Sequence, residues 1–105
     1  MNHLMQNRLE QSKALACEAR LSFLDWLSDP DVHFSHQVTG TPSEIGVCVT
    51  LLTEKIGMAQ PTVSRHLELL KRAGFVTSTK IGKWSFFRRD EQAIADYKAW
   101  INDHL

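Results

Sequence analysis

At 105 residues the chain has room for one domain with a small core, for which oligomerisation is a natural way to cover apolar surface. An apolar fraction of 43% with three Trp excludes a disordered chain, and no apolar run is long enough to cross a membrane. The formal charge is zero, but seven basic residues between Ala59 and Arg89 (Arg65, Lys71, Arg72, Lys80, Lys83, Arg88 and Arg89) face one acid, Glu68, so this window carries +6 and the rest of the chain −6.

The opening MNHLMQNRLEQ lacks the basic, apolar and small-residue order of a secretory signal, and the expected compartment is the cytoplasm. Apolar residues at helical spacing, with the strong helix formers of LEQSKALA, predict a first helix over Leu4 to Leu15. A second is expected from Cys17 to Leu27, with Leu21, Phe23, Leu24 and Leu27 inward, stopped by Ser28, Asp29 and Pro30. The segment DVHFSHQVTGTPSE, Asp31 to Glu44, has no clear period and is expected to be a long connection. Two cysteines, Cys17 and Cys48, do not make a secreted disulfide framework and read first as small half-buried hydrophobes.

A third helix is expected over Val49 to Ile56, closed by Gly57, and a fourth over Gln60 to Ala73, with Pro61 tolerated in its first turn and Val63, Leu67 and Leu70 forming its apolar stripe. After Gly74 the stretches FVTSTK and KWSFFRR are rich in β-formers and predict a hairpin turning at Ile81-Gly82, with Lys80 and Lys83 beside the tip. A last helix is expected from Asp90 or Glu91 to about Asn102, with Ile94, Tyr97 and Ile101 in a stripe.

The order α-α-α-α-β-β-α, mostly helical with one small hairpin, places two short helices around a glycine-containing turn and follows them with a cationic hairpin. That is the arrangement of a winged helix-turn-helix. Burying the Val63, Leu67 and Leu70 side leaves Gln60, Thr62, Ser64 and Arg65 free for a duplex. Gln and Arg have the forked donors that read base edges, while Ser and Thr hydroxyls more often hold phosphate. Lys71 and Arg72 at the far end of the helix, and Lys80, Lys83, Arg88 and Arg89 on the hairpin, suit phosphate or minor-groove contact. His66, beside Leu67, is placed between DNA contact and internal packing. The five histidines are scattered, with no carboxylate pair, Cys-His combination or phosphate-cradling glycine loop, so no enzyme is expected.

The run PTVSRHLELLKRAGFV, preceded by LTEKIG and followed by a basic hairpin, resembles the recognition region of the ArsR family of bacterial winged-helix repressors, and ALACEARLSFLDWL resembles that family's second-helix signature at Arg20 and Leu21. The similarity runs over about Ser12 to Ile101. The resemblance implies a single domain over residues 1–105 and a homodimer joined through its first and last helices, for which Leu4, Leu9, Ile94, Tyr97 and Ile101 supply apolar stripes. It also implies binding of double-stranded DNA at an inverted repeat, with release on a metal, metalloid or thiol signal.

The sensing residues depart from the family. Cys48 and Thr50 occupy the positions of the paired thiolates at the start of the third helix, so one ligand is present and one is missing. The last helix has Asp96 and His104 but does not fill the family's interfacial zinc set. No cofactor is assigned; the incomplete alternatives are a metal held by Cys48 with His33 or His36, and a redox pair of Cys17 and Cys48. A small-molecule signal is the remaining option. The rival expectation is a winged helix that docks on another protein and reads no sequence.

Overall fold

The computed structural model describes residues 2–105. Helix α1 runs His3–Leu15 and is capped by Asn2, whose side-chain oxygen accepts the Met5 N–H at 2.8 Å. Ala16 and Cys17 leave helical geometry, and α2 follows over Glu18–Ser28, with Ala19, Phe23, Leu24 and Leu27 buried at three- and four-residue spacing.

The segment expected as a plain connection is more ordered than its polarity suggests. It contains two single helical turns, α3 (Pro30–His33) and α4 (Pro42–Ile45), each opened by a proline whose missing N–H costs nothing in a first turn. Phe34 between them is completely buried. Gln37 holds the segment closed: its amide donates to the carbonyls of Gly40 and Gly46, and its oxygen accepts the Cys48 N–H at 2.9 Å. Gly46 sits at φ 94°, and a Cβ there would lie 3.0 Å from the Phe87 backbone nitrogen and oxygen. Only glycine lets the segment come this close to the neighbouring strand.

That close approach makes a two-residue strand, β1 (Val47–Cys48), which pairs antiparallel with the third strand of the chain. The sheet therefore has three strands, in the order β1-β3-β2, where the sequence suggested only a hairpin. Helix α5 (Val49–Ile56) ends at Gly57 in the left-handed conformation, as expected, and α6 (Gln60–Arg72) begins three residues later. Val63, Leu67 and Leu70 of α6 have no exposed surface, and each contributes about 1.5–3 kcal/mol by burial. The Phe75 N–H reaches the Leu70 carbonyl and the Gly74 N–H the Lys71 carbonyl, the paired bonds of a Schellman cap that turns the chain into β2.

Strands β2 (Val76–Ile81) and β3 (Trp84–Arg89) pair from Val76↔Arg89 to Ile81↔Trp84, so the turn residues are Gly82 and Lys83. The expected turn at Ile81-Gly82 is thus shifted by one residue, because β-branched Ile81 completes the ladder. Asp90 then caps α7 (Glu91–His104) by accepting the Ala93 N–H.

Helix α1 is fastened to the C-terminal end of α6 and to the middle of α7. Gln11, buried, donates to the Ala73 carbonyl. The Ser12 hydroxyl donates to the Arg8 carbonyl, so the Tyr97 hydroxyl, 2.7 Å away, must donate to Ser12. Tyr97 also packs edge-on against Phe75, with centroids 5.4 Å apart. Ile94 and Tyr97 are therefore packed in the core of this chain. A helical stripe shows that a face is covered but not what covers it. Leu4 and Leu9, by contrast, are 58% and 42% exposed, and Ile101 is half-buried.

Candidate nucleic-acid interface

Burial of Val63, Leu67 and Leu70 on one side of α6 leaves Gln60, Thr62, Ser64, Arg65, Glu68, Lys71 and Arg72 exposed around the rest of the helix. Gln60, Ser64, Glu68 and Lys71 lie along one edge of this arc and face the hairpin. Across from them stand Ser78, Lys83, Trp84 and Ser85, and the two walls enclose a groove of about 310 Å³. Thr62, Arg65 and Arg72 lie further round the helix, outside that groove. Lys80 is exposed on β2, paired with Ser85.

Sequence reasoning missed Trp84. It is 45% exposed, and the Lys83 ammonium lies 5.7 Å from its ring centroid. A large aromatic held beside a cation on the wall of a polar groove offers a flat apolar face for a sugar or base, alongside a phosphate-binding charge. The signal was available: in GKWSFF the Trp adjoins the hairpin turn, outside the buried Phe86-Phe87 pair.

Three of the expected residues point elsewhere. His66 is half-buried on the α2 side of α6, with Nδ1 3.0 Å from Arg20 Nη1. The guanidinium is always charged, so it donates and His66 Nδ1 accepts, which fixes a neutral ring carrying its proton on Nε2. Burial, reinforced by the Arg20 charge, lowers the His66 pKa from its ordinary 6.5. Arg20 also donates to the carbonyls of Ala14 and Lys13, so it ties the end of α1 to the recognition helix. His66 thus tethers α6 to Arg20 from the α2 side of the helix.

Arg88 and Arg89 lie at the base of the hairpin, far from its turn. Arg88 donates to the Glu44 carbonyl at 2.7 Å, on the α4 side of the hairpin base. Arg89 forms a two-pronged pair with Glu91, 2.9 Å for each bond, and donates to the Leu24 carbonyl. Neither lines the groove between α6 and the wing.

The candidate sensing residues are not gathered. Cys17, at the junction of α1 and α2, has its sulfur 3.9 Å from His66 Nδ1, while Cys48 lies in β1 opposite Phe86, and both thiols are free. Among the described residues no three His, Cys, Asp or Glu side chains come close enough to hold a metal ion, so His33, His36 and Cys48 do not form a ligand set.

Comparison with known proteins agrees with this geometry. Residues 47–78, from β1 through the two helices into β2, match the family model for bacterial regulatory proteins of the arsR family. The chain is 44% identical over 97 residues to the HTH-type transcriptional regulator YbzH of Bacillus subtilis, covering 92% of this chain and 97% of that one. It is 43% identical over 47 residues to the arsenical resistance operon repressor of Escherichia coli, covering 44% of this chain and 40% of the repressor. Among solved structures, the ArsR family transcriptional regulator RHA00566 superimposes with a TM-score of 0.74 at 19% identity, covering 98% of this chain and 91% of that one. The winged helix-turn-helix domain Mb0332 of Mycobacterium bovis, described as homodimeric and DNA-binding, gives 0.67 at 24% identity, over 96% and 83% of the two chains. Motif, fold and whole-length similarity agree: the chain belongs to the ArsR family of transcriptional regulators and carries its winged helix-turn-helix DNA-binding domain.

Proposed function

We propose that the protein is a homodimeric repressor in the cytoplasm, which occupies an inverted-repeat operator and blocks the promoter. The observation that carries this reading is the single groove bounded by the uncommitted polar edge of α6 and by the cationic, aromatic edge of the wing. Arg65 and Gln60 supply base contacts in the major groove, with Thr62 and Ser64 on flanking phosphates. Lys71, Arg72, Lys80 and Lys83 supply sequence-independent affinity, and Trp84 packs against the sugar-phosphate edge.

The whole of residues 1–105 acts as one domain, and two copies meet through the outer faces of the first and last helices, α1 and α7. The exposure of Leu4, Met5 and Leu9 on one helix supports this, as does the homodimer described for the Mb0332 domain. Two-fold symmetry then sets the half-sites about one helical turn apart.

The reading is tested by retaining genomic DNA fragments on the purified protein and sequencing them, then measuring stoichiometry and salt dependence on the enriched duplex. Recovery of one inverted repeat, bound by two copies with affinity falling steeply with salt, is the expected result. Retention without any enriched sequence would replace it with a winged helix that docks on protein.

A further inference from the structure

A second cavity lies at the base of the hairpin, on the α4 side of β3. Its volume is about 300 Å³, at the lower end of the range for small-molecule sites. Leu27 and Phe87 form an apolar floor continuous with the core, and Pro30 and Pro42, the residues that open α3 and α4, form stiff walls. The 30–46 segment is held in place as a wall by the three hydrogen bonds of Gln37 and by the backbone contact at Gly46, where Arg88 Cγ also lies 3.0 Å from a notional Cβ. The cavity is therefore part of the packed structure rather than a gap beneath a loose loop.

The polar groups on its rim are already partnered, with one exception. The Ser43 hydroxyl and N–H both donate to Asp31, which uses that carboxylate. Ser28 donates to the Asp25 carbonyl. Arg89 and Glu91 neutralise one another. Arg88 spends a single N–H on the Glu44 carbonyl and has no carboxylate partner among the described residues, so its charge and its remaining donors are open.

We propose that this cavity binds a small monocarboxylate with an apolar body, whose carboxylate takes a forked pair of hydrogen bonds from Arg88 while its hydrocarbon part lies on Leu27 and Phe87 between the two prolines. One uncompensated guanidinium matches one negative charge, and a dianion would meet the Glu91 carboxylate on the same rim. The occupant sits on β3, the strand that carries Trp84 at its other end. The binding does not depend on how the protein reads DNA.

The test is titration of the isotopically labelled full chain with hexanoate and with benzoate, each against the neutral alcohol of the same skeleton, hexanol and benzyl alcohol, following backbone amide shifts. The expected result is saturable movement confined to Ser28, Ser43, Phe87, Arg88 and their neighbours, with the carboxylate binding about tenfold or more tighter than its alcohol. Arg88→Gln should remove that advantage while leaving the alcohol's affinity unchanged, and Arg88→Lys should restore part of it. The same spectra show whether each variant is folded. Shifts scattered over the surface, equal binding of acid and alcohol, or undiminished carboxylate binding by a folded Arg88→Gln variant would overturn the proposal.

Discussion

The two ends of strand β3 carry cations in opposite situations. At the turn, Lys83 and Trp84 are exposed, with the ammonium over the ring, and they face Gln60, Ser64 and Lys71 across an open groove. At the base, Arg89 is tied to Glu91 and the Leu24 carbonyl, and Arg88, with one bond to the Glu44 carbonyl, lies on the α4 side, away from α6. Both ends count equally in the +6 window, yet only the turn presents its charge toward the recognition helix. Net charge along a segment locates an electropositive end of the molecule, but the partners of each cation decide which are available to a polyanion.

The strongest way to sharpen this contrast is Arg65→Ala on the exposed face of α6. Loss of a forked base contact should weaken operator binding by about 1–3 kcal/mol and erode the preference over random DNA, with thermal stability unchanged. Competition binding with operator and scrambled duplexes reads both effects, and an unaltered specificity ratio would remove Arg65 from base readout.

Next comes Arg89→Ala at the base of the strand. Its side chain is only 15% exposed, and removal takes away its bonds to the Leu24 carbonyl and the Glu91 carboxylate and leaves a gap beside α2, so a loss of about 1–2 kcal/mol of folding stability is expected. Non-specific DNA affinity of the remaining folded protein should hardly change. If urea unfolding were unaffected and random-sequence affinity fell instead, Arg89 would belong with the wing-tip cations.

Much of this contrast could be read from the sequence, and the failures have a common cause. The Val63, Leu67 and Leu70 stripe, Pro61 in a first turn and Gly57 at a helix end each follow from local rules, and the recognition helix appeared where expected. Single-turn helices such as α3 and α4 are too short to show a period, so the segment holding Phe34 and Gln37 looked like a connection. Strand β1 has two residues and exists only because Gly46 lets it approach β3. Ile94 and Tyr97 were expected on a face buried against a second copy and pack in the core of this chain, because periodicity does not distinguish a covering α1 of the same chain from a second copy. Residue type alone grouped Arg88 with Lys83 and left His66 between two roles, because helical angle and strand position decide which way a side chain points.

A smaller effect is expected for Lys83→Ala. Removing one phosphate contact should weaken operator and random DNA alike and reduce the slope of log affinity against log salt by about 1. Paired salt titrations on the two duplexes distinguish this from a base contact, which would alter their ratio.

The smallest effect concerns His66, which belongs to neither end of β3 but ties the recognition helix to Arg20. Its folded-state pKa lies below the ordinary 6.5, because burial and then the Arg20 charge oppose protonation. The unfolded chain therefore takes up this proton first as pH falls. His66 then lowers stability progressively from about 6.5 down to its folded-state value, and below that the contribution levels off. Above 6.5 the ring is neutral in both states and the Arg20 bond is intact. His66→Gln keeps an acceptor for Arg20 but cannot titrate, so it should flatten the stability profile in this window and leave DNA affinity at neutral pH within about twofold of the parent. Chemical denaturation at a series of pH values, beside operator binding at neutral pH, separates the roles: a large loss of affinity with an unchanged pH profile would return His66 to the DNA face.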